Sequence, residues 1–307
     1  MKRLFAAAVL AGITLLCGCE ATELGDRAVI QAAAVDTDGE EYTVSALLFS
    51  AGGGSGGEID PSNENVIKVT GKGKTFAAAV DDISLTDGRK IYMSETRLLI
   101  LGSGFTGTDV TPVLETAARD MRCSLKMLVC CSDDPELLTD LHFTEGITAA
   151  EKPVDMIENA YRTGSSPRAY LLDIINDTAA GRQTLIPCFS PEINGFGMTS
   201  DEEGMTAVLS GSRALFQGKL GRRLDSRATA GEMLLGGNSD KVLLTFSHGG
   251  REVSCEAYCV KAERLETGGA LVSAKLRRRN GEPLSDELKE AAMQQLDDLI
   301  NAALAVR

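Results

Sequence analysis

The stretch 71-GKGKTFAAAVDDISLTDGRKIYMSETRLLILG-102 decides how this chain is read. Phe76, Val80 and Ile83 recur at i, i+4 and i+7, which predicts a helix over 75–85 with one apolar stripe. Gly88 closes it, and 91–101 follows as a run of high β propensity. A helix that gives way at a glycine to an apolar strand is the unit of a mixed helix-and-sheet protein.

The flanks extend the pattern. Upstream, 28–35 and 41–50 read as strands joined by Asp36-Thr37-Asp38-Gly39-Glu40, which is hairpin chemistry. Residues 51–57 are a glycine run, and 65–70 is a short strand. Downstream, helices are expected over 110–121, 149–162 and 167–179, with a helical turn at 133–135. Strands are expected over 123–131 and over 183–189, the latter interrupted by Pro187. The polar, turn-rich segment 190–203 marks a domain boundary. Beyond it the chain is strand-rich, at 206–216, 241–247, 251–262 and 270–278, with a tight turn at His248-Gly249-Gly250. A helix over 286–305 ends the chain, with Ser285 as N-cap and Leu288, Ala292, Leu296, Leu299 and Ala303 as its apolar face. The expectation is an α+β protein of two or three mixed domains with a long C-terminal helix. The sequence contains no internal repeat.

The first twenty residues set the address. Lys2 and Arg3 precede an apolar run over 4–16, long enough for a signal-peptide core and short for a membrane span. The run ends in Leu16-Cys17-Gly18-Cys19. Lipoprotein processing needs a branched apolar residue at −3, a small residue at −1 and the acceptor cysteine at +1. Leu16, Gly18 and Cys19 meet those needs, whereas Cys17 would put bulky Leu16 at −1. Cleavage is therefore expected between Gly18 and Cys19, with fatty acyl chains such as palmitate on Cys19. Residues 1–18 are the signal peptide and 19–27 a lipidated tether, leaving an extracytoplasmic body on the membrane face.

The formal charge of −13 becomes more negative when Lys2 and Arg3 are removed. So acidic a body argues against nucleic acid as partner and against docking on anionic lipid through bulk charge. Six cysteines follow the lipobox pair: Cys123, Cys130, Cys131, Cys188, Cys255 and Cys259. Strand alternation puts Val253, Cys255, Ala257 and Cys259 on one face, and Cys123 and Cys131 on another with Leu125, Met127 and Val129. Small buried thiols are the expectation, and the spacing announces no disulfide pairing.

Apparent catalytic motifs fail their context. Gly73-Lys74-Thr75 ends like a phosphate loop, but Lys68 stands where the first glycine is needed. Gly53-Gly54-Ser55-Gly56-Gly57 spells a nucleophile elbow, yet Glu58-Ile59-Asp60-Pro61 follows instead of a helix. His142 and His248 have no metal-ligand partner at usable spacing. Paired acids such as Asp81-Asp82 and Asp297-Asp298 read as solvated surface, and Arg277-Arg278-Arg279 as the end of a strand. No catalytic residue, metal, nucleotide or cofactor is expected.

Several segments resemble one family in the expected order. They are Glu23-Leu24-Gly25-Asp26-Arg27-Ala28-Val29, the Gly73–Gly102 stretch already quoted, and Leu185-Ile186-Pro187. Gly211-Ser212-Arg213-Ala214-Leu215-Phe216 and Thr229-Ala230-Gly231-Glu232-Met233-Leu234-Leu235 follow. Together they resemble the Ger(x)C, or GerAC-like, spore germination lipoproteins, the C subunits of nutrient germinant receptors. The resemblance implies an N-terminal region over 28–195 and a C-terminal domain over 196–307. That domain is shortened, because the family continues past the last helix. It also implies a non-enzymatic accessory subunit beside integral membrane A- and B-type subunits at the spore inner membrane. The rival expectation is a solute-binding lipoprotein of a transporter, which would need two similar lobes around a ligand cleft.

Overall fold

A computed structural model describes residues 27–49, 66–136, 139, 150–193, 205–266 and 268–306. The lipobox, Cys19, the tether, the glycine run at 51–57 and His142 lie outside the described residues. The fold is α+β. Twelve strands and six helices are seen among the described residues, in two sheets.

The large sheet is built on β1 (Arg27–Thr37). On one side β2 (Tyr42–Phe49) and β3 (Val66–Gly73) continue it antiparallel. The β1–β2 turn is the expected one, because the Asp38 carboxylate accepts from the N–H groups of Glu40 and Glu41, both at 2.9 Å. On the other side β4 (Lys90–Tyr92) and β5 (Leu98–Leu101) both run parallel to β1, one after the other along the same edge. The single strand expected over 91–101 is thus two. The chain leaves the ladder between them, and the Thr96 hydroxyl donates to Ile30 O at 3.0 Å inside the core. Propensity does not register such an excursion, since Tyr92 and Leu98 are both good strand residues.

Parallel pairing then adds β6 (Leu128–Ser132) and β7 (Thr184–Ile193), and antiparallel pairing adds β8 (Met205–Phe216) and β9 (Lys219–Leu224). The boundary expected at 195/196 falls between β7 and β8, hydrogen-bonded neighbours in one sheet. The strand expected over 123–131 begins only at Leu128, because Met127 N–H bonds Ser124 O in a turn before it.

Three helices cover one face: α1 (Phe76–Asp87), α2 (Thr111–Arg119) and, after α3, α4 (Leu171–Ala179). α3 (Glu151–Arg162) covers the other, with Val154 and Ile157 against Ala32, Ile100, Leu128 and Phe189. α1 follows its expected limits closely. Thr75 caps its first turn and Gly88 ends it at φ +77°. Gly71 and Gly73 are glycines for packing: a Cβ on Gly73 would lie 2.6 Å from Ala79 N, so α1 could not rest on β3. That accounts for Gly73-Lys74-Thr75 without any phosphate.

The second layer packs α5 (Ser226–Leu235) and α6 (Asp286–Ala305) on a three-stranded sheet of β10 (Lys241–His248), β11 (Arg251–Arg264) and β12 (Ala270–Arg278). Ser285 holds the N-cap position of α6, though its side chain makes no cap bond. The face expected of β11 is corrected by a bulge between Tyr258 and Lys261. Cys255 and Ala257 stay buried, Cys259 turns out to solvent at φ +51°, and Val260 takes the inward place.

The expectation of free buried thiols is corrected at one pair. Cys131 and Cys188 are register partners on β6 and β7, with Cα atoms 4.7 Å apart, and form a disulfide. Parallel neighbours of this kind cannot be foreseen from a sequence separation of 57. Cys123 and Cys130 are free and buried. Burial pushes the Cys123 thiol up to about 12 and raises that of Cys130 as well. Peptide mapping without reduction should therefore recover Cys131 cross-linked to Cys188, with Cys259 the readily alkylated thiol. A loop of this length makes reduction cost roughly 4 kcal/mol in the chain-entropy account. A clear fall in Tm with reductant is expected.

Candidate functional site

The polar groups that the fold gathers most closely lie at the C-terminal end of α3 and in the segment returning from it. Glu158, Tyr161 and Arg162 stand one turn apart on α3, so they share a face. The chain then leaves the helix, touches the second layer through Leu243 N–H to Thr163 O at 3.0 Å, and returns as Arg168-Ala169-Tyr170 beside β6. Arg168 sits between two rings, 4.3 Å from the Tyr161 centroid and 4.7 Å from that of Tyr170. Its Nη1 donates to Glu158 Oε2 at 2.9 Å, and the Tyr170 hydroxyl donates to Glu158 Oε1 at 2.8 Å.

Burial opposes the ionisation of Glu158, but the Tyr170 hydroxyl and the Arg168 guanidinium outweigh it. The carboxyl is held below its usual range. Burial raises the Tyr170 phenol, and Glu158 raises it further. A lowered carboxyl stabilises the fold above the ordinary glutamate range, and that stability is lost as pH falls through the folded value. Glu158→Gln should cost about 1–2 kcal/mol at pH 7 through its charge-assisted hydrogen bonds. The gap between the urea midpoints of wild type and variant should shrink as the pH falls below the ordinary glutamate value of about 4.3.

Two clefts meet at Glu158. One, of about 310 Å³, is lined by Ser94–Arg97 together with Ser124, Lys126 and Tyr170. The other, of about 390 Å³, lies between Arg162 and Arg168 of the first layer and Asp240 and Lys241 of the second. Both are lined largely by polar residues and lie at the lower end of the ligand-pocket range of about 300–1,000 Å³. A second cluster ties the strand ends together. Asp133, just past β6, accepts from Arg213 at 3.1 Å and from Arg223, which also donates to Ser190 and Ser210. These contacts give both arginines protein partners.

Residues 102–107 spell Gly-Ser-Gly-Phe-Thr-Gly after β5, the pattern of a dinucleotide loop. Here the N–H of Gly104 donates to Asp36 Oδ1 at 2.8 Å, and Phe105 is fully buried. A carboxylate of the same chain occupies the place of a phosphate, and α2 starts only at Thr111. His248 is the last residue of β10, paired with Arg251 across the turn and 3.9 Å from Glu287. Among the described residues no three of His, Cys, Asp and Glu gather as metal ligands, and no helix is long and apolar enough to cross a membrane. Arg277 is bound to Glu256 at 2.7 Å and stacks on Tyr258, which accounts for one member of the basic triplet. Sequence reasoning missed the Arg168 stack, because its members are spread over α3 and an irregular return. Tyr161 and Tyr170 on either side of Arg168 were the available signal.

These features define an α+β body with polar clefts and internal ion clusters. Residues 20–191 match the family described as the spore germination protein N-terminal domain. The chain belongs to that family, and it is a spore germination protein of GerAC type. A crystal structure of the GerBC protein is similar with a TM-score of 0.46 at 16% identity, over 88% of this chain and 80% of that one. No curated protein matches the chain.

Proposed function

We propose that this chain is the C-type accessory subunit of a nutrient germinant receptor. It is held by acyl chains on Cys19 at the outer face of the spore inner membrane, beside integral A- and B-type subunits. The family match over residues 20–191 carries this reading, and the lipobox at Leu16–Cys19 supplies the anchor. The subunit acts without catalysis. Confining it to the membrane plane raises its concentration at the receptor, and its surfaces assist assembly or gating of the complex.

Deleting the gene and following dipicolinic acid release from purified spores tests this. Loss of the response to one nutrient is expected, with a nutrient-independent trigger still effective and the wild-type gene restoring release. Normal release with every nutrient, in a strain without paralogues, would overturn the reading.

A further inference from the structure

Charge in the large sheet is polarised along its strands. The C-terminal ends of the parallel strands carry Asp36, Asp38, Glu40 and Glu41 of the hairpin, and Asp133, Asp134 and Glu136 after β6. Lys68, paired with Glu136 at 3.8 Å, Lys72 of β3, Lys74 just past it and the two arginines bound to Asp133 offset part of this. The opposite end is entered through cations. Arg27 opens β1, Lys90 opens β4, Arg97 precedes β5 and Lys126 lies two residues before β6. Lys90, Arg97 and Lys126 have no ion-pair partner among the described residues, and Arg27 and Lys90 stack on the Tyr92 ring. Glu95, Asp120 and Asp173 are carboxylates nearby with no ion pair among the described residues, so the cations outnumber them narrowly.

Two further facts mark the same end. Leu125 and Leu172 are 45% and 42% exposed and adjacent, since Leu172 N–H donates to Leu125 O at 3.0 Å. The chain also comes from Cys19 at this end, and the eight residue steps to Arg27 extend to at most about 28 Å. We infer that the strand-start end of the large sheet, with Arg27, Lys90, Arg97, Lys126, Leu125 and Leu172, docks on an anionic phospholipid surface. The inference rests on the anchoring reading above. The cations meet lipid phosphates, the two leucines enter the headgroup layer, and the acidic hairpin is repelled. Docking fixes how the body stands on the membrane, and so which surfaces face a partner subunit.

The test uses the full acylated chain in vesicles of phosphatidylcholine, with or without phosphatidylglycerol as about a third of the lipid. A donor dye is placed at Ser94→Cys or at Glu40→Cys, each with Cys259→Ser, and an acceptor on lipid headgroups. On anionic vesicles, transfer from position 94 should exceed that from position 40 by about threefold, with charged headgroups providing the pull. The ratio should approach one without phosphatidylglycerol, in about 0.5 M salt where screening acts within a few Å, and in Lys90→Glu/Arg97→Glu/Lys126→Glu. Unchanged circular dichroism and Tm would show that this variant is folded. An acylated chain with equal transfer from both positions, or a ratio indifferent to charge reversal, overturns the docking inference alone. An N-terminal peptide without acyl chains overturns the anchoring reading and this inference with it.

Discussion

Cys19→Ala is expected to abolish acylation outright and to leave a longer precursor that keeps residues 1–18. The physical reason is chemical rather than structural. On the proposed anchoring the thiol of Cys19 is the acyl acceptor, alanine offers no nucleophile, and Cys17 is badly placed to substitute because Leu16 would flank the cut. Labelled fatty acid fed to the cells should enter the wild-type band and be absent from the variant. Two or more acyl chains hold a soluble body stably at a bilayer, whereas one gives only marginal binding. The wild type should therefore partition almost wholly with membranes. Spores carrying only the variant are expected to release dipicolinic acid as the deletion strain does. Label incorporation equal to that of wild type would refute the assignment of Cys19.

Gly231→Val is expected to destabilise the second layer by about 3 kcal/mol, the upper part of the range for overpacking a tight core. Gly231 lies on α5 where the helix crosses α6. A Cβ there would collide with Leu299 O and lie 2.7 Å from the Leu299 carbonyl carbon and 2.9 Å from Ala303 Cβ. Two of those atoms are backbone, so no rotamer change makes room and the helices must move apart. Separation would loosen Leu234, Leu296, Leu299 and Ile300, all buried between the helices and the small sheet. It would also strain the buried bond of 2.9 Å between Thr229 on α5 and Ser212 on β8. For a body of this size the loss corresponds to a Tm lower by roughly 6–12 °C. Arg227→Ala, on the same helix but exposed, should leave Tm nearly unchanged. Equal Tm values for Gly231→Val and wild type would show that α5 and α6 do not approach closely.

Elements with a local physical cause were legible from residues alone. The β1–β2 hairpin follows from an aspartate–glycine turn between apolar strands, and α1 from a threonine cap, one apolar stripe and a closing glycine. α6 follows from a long stripe on an otherwise polar helix. α5 was visible only through family resemblance. Ala228 through Leu234 are all buried, so the helix has no polar face to set a period. β9, Lys-Leu-Gly-Arg-Arg-Leu, lacks a clear alternation, and its Arg223 serves Asp133, Ser190 and Ser210. The Arg168 stack was likewise unseen, since its four members meet only when the return after α3 folds back on the helix.

The sequence by itself determined the α+β class and the family and supplied the expected export signal and acyl acceptor, because each depends on neighbouring residues or on the order of segments. Only the tertiary structure decided that Cys131 meets Cys188, that Cys259 faces solvent and that β4 and β5 are two strands on one edge. It alone decided that Asp133 binds an arginine ninety residues away. Those outcomes depend on strand order and register across the large sheet. Register is set by burial on both faces at once, which no local run of residues encodes.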